Sequence, residues 1–167
     1  TAEAPLGLAA AVRDQARPGD LVLLDCLTVW LSNRLLDGIG AGRAPEDVPD
    51  ADWAAMEAAA LAEADALLDD ARACGVALLL VSNEVGMGVV PAFALGRRYR
   101  DALGRLNQAV AARADGVLLT VAGMALDLRR LATLAPALIG VEGDAAPAGS
   151  SPPSDSPHPR RSGPRPA

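Results

Sequence analysis

A run of six apolar residues, Val76 to Val81, stops at Ser82-Asn83-Glu84, crosses the glycine loop Gly86-Met87-Gly88 and enters an arginine-rich helical pattern. A continuous apolar run of that length suits a strand covered on both faces, the setting of a parallel sheet. Leu21-Val22-Leu23-Leu24 has the same form, introduced by the turn Arg17-Pro18-Gly19-Asp20 and closed by Asp25. Polar groups at the carboxyl ends of such strands are where open α/β sheets bind ligands. Asp25 and the Asn83-Glu84 segment therefore lead the search for function.

Between and around these strands the apolar residues recur at helical spacing. Pro5 to Ala16 reads as a helix, as does Leu27 to Leu36 with Leu27, Trp30, Leu31 and Leu35 on its apolar side. Asp37 to Asp50 is punctuated by glycine and proline and reads as loop. A long helix follows from Trp53 to Ala73, with Asp52 as its expected cap and Gly75 as its stop. Pro91 to Ala114 holds the arginine-rich helix, whose buried side is Leu95, Tyr99, Leu103, Leu106 and Val110. Gly116 to Val121 is a third expected strand and Ala125 to Leu134 a last helix. From Ala145 the chain is rich in Pro, Ser, Ala and Arg without apolar periodicity, and a disordered tail is expected over 144–167. Strands alternating with helices imply an α/β domain over 1–143, a parallel sheet with flanking helices. Three strands are few against the usual sheet of about five or six. With a first residue of Thr1 rather than Met, this reads as a fold incomplete at its N-terminus.

Composition removes several function classes. The net charge of −6 argues against a nucleic-acid binder. Cys26 and Cys74 do not make a disulfide framework, so a reducing cytoplasm is the expected compartment. The single histidine, His158, lies in the proline-rich tail, and without a Cys/His cluster a structural zinc site is excluded. No apolar run is long enough to span a bilayer, and no signal-peptide pattern precedes the first apolar run. The 167 residues contain no lysine, so any phosphate-binding lysine lies outside them.

Four features could carry chemistry. A carboxylate fixed at the end of a buried strand, as Asp25 is, can hold Mg²⁺ directly or through water beside phosphates, although many such acids only satisfy nearby backbone donors. Asn83 and Glu84 offer an amide and a carboxylate at the sheet mouth, where Gly86 and Gly88 permit close approach; the plain alternative is a turn that needs glycine. Two glycines one residue apart are not a dinucleotide fingerprint. Arg97, Asp101 and Arg105 are spaced for a surface ion-pair ladder, while Asn107 adjoins the apolar stripe. Glu3 sits where a charge would complement a helix dipole. No nucleophile–base pair is present.

Several stretches together resemble the bifunctional adenosylcobinamide kinase / adenosylcobinamide-phosphate guanylyltransferases. They are Asp25-Cys26-Leu27-Thr28 with Trp30-Leu31-Ser32-Asn33, the long Val81-to-Pro91 segment, Arg98-Tyr99-Arg100-Asp101, Gly104-Arg105-Leu106-Asn107-Gln108 and Val121-Ala122-Gly123. The resemblance spans about residues 1 to 130. It implies a P-loop NTPase-like fold and a homotrimeric cytoplasmic enzyme of cobalamin biosynthesis. That enzyme phosphorylates adenosylcobinamide with ATP or GTP and then transfers GMP from GTP through a GMP-histidine, Mg²⁺ assisting both steps. Thr1-Ala2-Glu3 matches the family's Thr-x-Glu, and the GTP-contacting acids map to Glu3 and Asp25. Asn83 and Glu84 fall in the signature as a substrate or nucleotide rim, and Asp25 is the metal candidate.

The family's glycine-rich Lys-Ser loop and its guanylylated histidine have no counterpart in these residues. The expectation is a polypeptide without either activity on its own, since it has no lysine to neutralise phosphates and no histidine placed to carry GMP. The competing readings are a short inactive paralogue acting as a binding or assembly module, and an unrelated P-loop ATPase half. The Asn83-to-Pro91 signature argues against the last.

Overall fold

A computed structural model describes residues 1–139 of the chain; the tail expected over 144–167 lies outside the described residues. The described residues divide into two units, Thr1–Val117 and a second that begins at Leu118. The first runs α1 (Leu8–Gln15), β1 (Leu21–Asp25), α2 (Leu27–Ile39), a 3₁₀ turn (Pro45–Asp47), α3 (Asp50–Ala73), β2 (Ala77–Val81), a second 3₁₀ turn (Val85–Met87) and α4 (Ala94–Arg113). The architecture is α/β, with a parallel sheet and packed helices.

Local chemistry sets the boundaries. α3 ends in a paired motif in which Val76 N donates to Ala71 O at 2.8 Å and Gly75 N to Arg72 O at 3.2 Å. That geometry needs a left-handed residue, and Gly75 supplies it at φ +67°. The start of α3 differs from expectation. Asp52 lies inside the helix, and the first carbonyl to accept is that of Pro49, from Asp52 N at 3.1 Å and Trp53 N at 3.2 Å. α1 starts at Leu8 rather than Pro5 because Glu63 of α3 reaches its first amide, Leu8 N to Oε1 at 3.0 Å. A carboxylate there also complements the helix dipole.

β1 and β2 pair in parallel, with Leu21 opposite Ala77 and Asp25 opposite Val81. The helical crossover between them builds the core. Leu27, Leu31, Leu35, Leu67, Leu103 and Leu106 are fully buried, and Trp30 and Trp53 join them. Val22, Leu24, Leu78 and Leu80 pack on this cluster from the sheet. The alternate residues do not. Leu21 is 68 % exposed, Leu23 60 % and Leu79 53 %. The expectation of strands covered on both faces is thus corrected: in this unit the core lies on one face of the pair. An all-apolar strand reads the same whether one face or two are covered, because both sets of alternate residues are leucine or valine.

The second unit departs further from expectation. β3 (Leu118–Val121) does not join the parallel pair but forms an antiparallel hairpin with β4 (Met124–Asp127), Val121 opposite Met124. The two-residue turn has Ala122 at φ 52° and Gly123 at φ 77°. Positive φ at both positions is the geometry that tight hairpins require. The last helix accordingly begins at Leu128 rather than Ala125, as α5 (Leu128–Ile139). Asp127 caps it, its Oδ1 accepting from Arg129 N at 3.0 Å and Arg130 N at 3.1 Å.

Candidate functional site

The parallel register places Asp25 and the Ser82–Glu84 segment at one end of the sheet. Asp25 is exposed there, immediately before the first residues of α2. Thr28, on the first turn of α2, ties the two strand ends together. Its Oγ1 accepts from Asn83 N at 3.1 Å and from Asn83 Nδ2 at 3.0 Å. The amide named from sequence is therefore held at both its backbone and its side chain.

From the other side α4 contributes Asn107. Its Nδ2 donates to Asn83 O at 3.1 Å and to Glu84 Oε1 at 3.0 Å, while its Oδ1 accepts from Ser82 Oγ at 2.6 Å. One amide thus fixes three consecutive residues of the rim. Tyr99, two turns earlier on α4, donates its hydroxyl to Thr28 O at 2.9 Å. Burial, with a smaller contribution from the nearby Cys26 thiol, pushes the Tyr99 phenol above its usual range. The result is a closed polar brace in which β2, α2 and α4 hold Asn83 and Glu84 in place.

Glu3 is not joined to this brace. It is exposed near the start of a segment anchored to α2, where Trp30 Nε1 donates to Leu6 O at 2.9 Å and Asn33 Nδ2 to Pro5 O at 3.3 Å. The arginine ladder is replaced by other pairings. Arg97 Nη1 donates to Pro91 O at 3.0 Å and Ala92 O at 2.7 Å, and Arg98 pairs with Asp50. Arg105 forks onto Glu57, with Nη2 to Oε2 at 2.7 Å, and Asp101 pairs with Arg100. The Arg98–Asp50 and Arg105–Glu57 pairs, with Asp101, line a charged pocket of about 340 Å³ between α3 and α4. Cys74 is exposed and Cys26 half-buried, both as free thiols.

Beside the brace lies a second cavity, about 500 Å³, between α2, the Pro45 turn and the loop leading into α4. Leu36, Pro45, Pro91, Phe93 and Tyr99 are among its walls. Gly96 permits this loop to sit tightly on α4, since a Cβ there would lie 2.7 Å from Pro91 Cβ.

The donors at the sheet mouth are oxygens: the Asp25 and Glu84 carboxylates, the Asn83 amide and the Thr28 hydroxyl. Hard oxygen donors with one or two carboxylates, the rest being water and phosphate, are what Mg²⁺ accepts. No cluster of three or more His, Cys, Asp or Glu able to hold a metal by itself exists among the described residues. No helix among them is long and apolar enough to cross a membrane.

The family described as cobinamide kinase / cobinamide phosphate guanyltransferase matches residues 1–128. The bifunctional adenosylcobalamin biosynthesis protein CobU of Salmonella typhimurium is 40 % identical over 129 residues, 77 % of this chain and 69 % of the relative. CobP of Pseudomonas aeruginosa, of the same description, is 41 % identical over 129 residues, 77 % of this chain and 65 % of the relative. CobU of Escherichia coli is 40 % identical over 112 residues, 67 % of this chain and 60 % of the relative. The matched segment is thus well short of each relative's own length.

Proposed function

The chain belongs to the cobinamide kinase / cobinamide phosphate guanyltransferase family, and from that premise we propose that it supplies the guanine-nucleotide rim of an enzyme of cobalamin biosynthesis. The reactions are phosphorylation of adenosylcobinamide and transfer of GMP from GTP to adenosylcobinamide phosphate. The observation that carries this reading is the meeting of Asp25 and the braced Asn83-Glu84 segment at one end of the parallel pair. ATP and GTP are the nucleotide substrates, and the complete enzyme is a cytoplasmic homotrimer.

In this reading the residues divide the work by their chemistry. Asp25 and Glu3 contact GTP, both as acceptors for hydroxyl or N–H donors. Asp25 also holds Mg²⁺, directly or through water, and Mg²⁺ when bound offsets phosphate charge. Asn83 is fixed by Thr28, so its position costs no ordering on binding, and Glu84 is oriented by Asn107. The arginines of α4 are committed to Asp50, Glu57, Asp101, Asp65, Asp69 and loop carbonyls. Phosphate neutralisation by lysine cannot come from this sequence, which has none. We therefore expect the 167 residues alone to bind nucleotide weakly and to turn over neither reaction.

Two measurements test this. Equilibrium binding of a fluorescent GTP analogue should depend on Mg²⁺, and Asp25→Asn should weaken it about tenfold, the size of one lost charge-assisted contact. Binding indifferent to both would remove Asp25 from the site. Incubation with Mg²⁺ and labelled GTP should leave no label on the denatured chain; retained label would overturn the inactivity.

A further inference from the structure

We propose that the apolar cavity between α2 and the loop entering α4 seats the corrin ring of the cobinamide substrate, an assignment that rests on the family reading above. Five observations converge on it. Large apolar side chains crowd the outside of one short stretch: Met87 is 74 % exposed, Val89 95 %, Val90 62 % and Phe93 78 %, with Leu36 across the cavity at 53 %. Such patches on a folded surface mark places where something binds. Of these side chains, Leu36 and Phe93 line a concave surface. At about 500 Å³, walled by leucine, proline and aromatic groups with Ser32 and Tyr99 as polar points, it has the make-up of a small-molecule site.

The wall is built, not loose. Arg97 fastens the carbonyls of Pro91 and Ala92, and Gly96 lets Pro91 sit against α4. The cavity adjoins the nucleotide rim through a shared residue. Tyr99 lines it and donates to Thr28 O, while Thr28 Oγ1 holds Asn83. A substrate seated there has the sheet mouth beside it, as transfer between nucleotide and corrinoid demands.

The charge fits as well. Among the lining residues Glu46 is the one that carries a charged side chain. An alkyl-cobalt(III) corrin carries a single net positive charge, the metal outweighing the corrin anion and the carbon ligand. A mostly apolar ring with amides at its rim and one positive charge suits an apolar cavity edged by one carboxylate. The cavity is too small to enclose the whole ring, so it grips one edge and leaves the aminopropanol arm outside.

The test is a titration of the full chain with cobinamide, followed by equilibrium dialysis and the visible absorbance of the corrin. Leu36→Arg and Phe93→Ser alter exposed side chains, and both should keep the thermal unfolding curve of the parent. Each should weaken cobinamide binding about tenfold or more, while affinity for the fluorescent GTP analogue stays the same. Unchanged cobinamide affinity in both variants overturns the assignment. So does a change confined to sedimentation, which would give this surface to a second copy of the chain. A parent chain that binds GTP but not cobinamide overturns the assignment and leaves the nucleotide reading standing; one that binds neither removes both.

Discussion

Asn107 is the residue on which the rim depends most, because a single amide serves Ser82, Asn83 and Glu84 at once. Asn107→Ala strips partners from all three; because these groups are open to water the expected cost is about 0.5–1.5 kcal/mol, read as a lower urea midpoint. Nucleotide affinity should fall with it, since Glu84 loses its orientation. Its importance was legible in part: an amide beside an apolar stripe is out of place on a plain surface helix. Thr28 was not legible in the same way. A threonine in the first turn of a helix is commonplace, and its two bonds reach Asn83, 55 residues away. Tyr99 was read only as part of the buried stripe, for its hydroxyl acts on a carbonyl 71 residues distant. It is the only tyrosine, so its ionisation can be followed alone by phenolate absorbance. Burial raises its folded pKa above the usual value of about 10. The stabilising contribution is therefore complete below pH ~10 and is lost as pH climbs through the folded pKa. An alkaline titration of the native chain should give a midpoint above that of the urea-unfolded chain; coincident midpoints would contradict the burial of the phenol.

At the scale of elements, the first strand, the second strand and the helices between them followed from the apolar runs and their spacing. What the pattern could not settle was partnership. Leu118 to Val121 is as strand-like as the other two runs, yet it pairs with Met124–Asp127. The signal for that hairpin was faint because its turn is Ala122-Gly123, where Asn-Gly or Asp-Gly would have announced it. Helix ends were missed for a related reason, since Glu63 starts α1 from a distant helix and no local residue reports it. The junction of the Pro91 loop with α4 carries a sharp prediction. Gly96→Ala would drive a methyl to 2.7 Å from Pro91 Cβ and 3.3 Å from its Cγ. Proline is too rigid to yield, so the loop must move. The expected loss is about 1–3 kcal/mol by chemical denaturation, as for other overpacked contacts. Proteolysis between Gly88 and Phe93 should also quicken.

For the molecule as a whole, the distribution of burial says how the chain should behave when heated. The first unit gathers its leucines and both tryptophans behind one face of the parallel pair, while Leu21, Leu23 and Leu79 stand in water on the other. Unfolding therefore wets less new hydrocarbon than the composition promises. The calorimetric step in heat capacity should fall below the ordinary ~12–15 cal/mol/K per residue. A value at or above that range would mean that the outer leucines are covered in solution. With a small step the enthalpy of unfolding changes little between cold and warm, and the free-energy curve against temperature becomes a shallow arc instead of a steep dome.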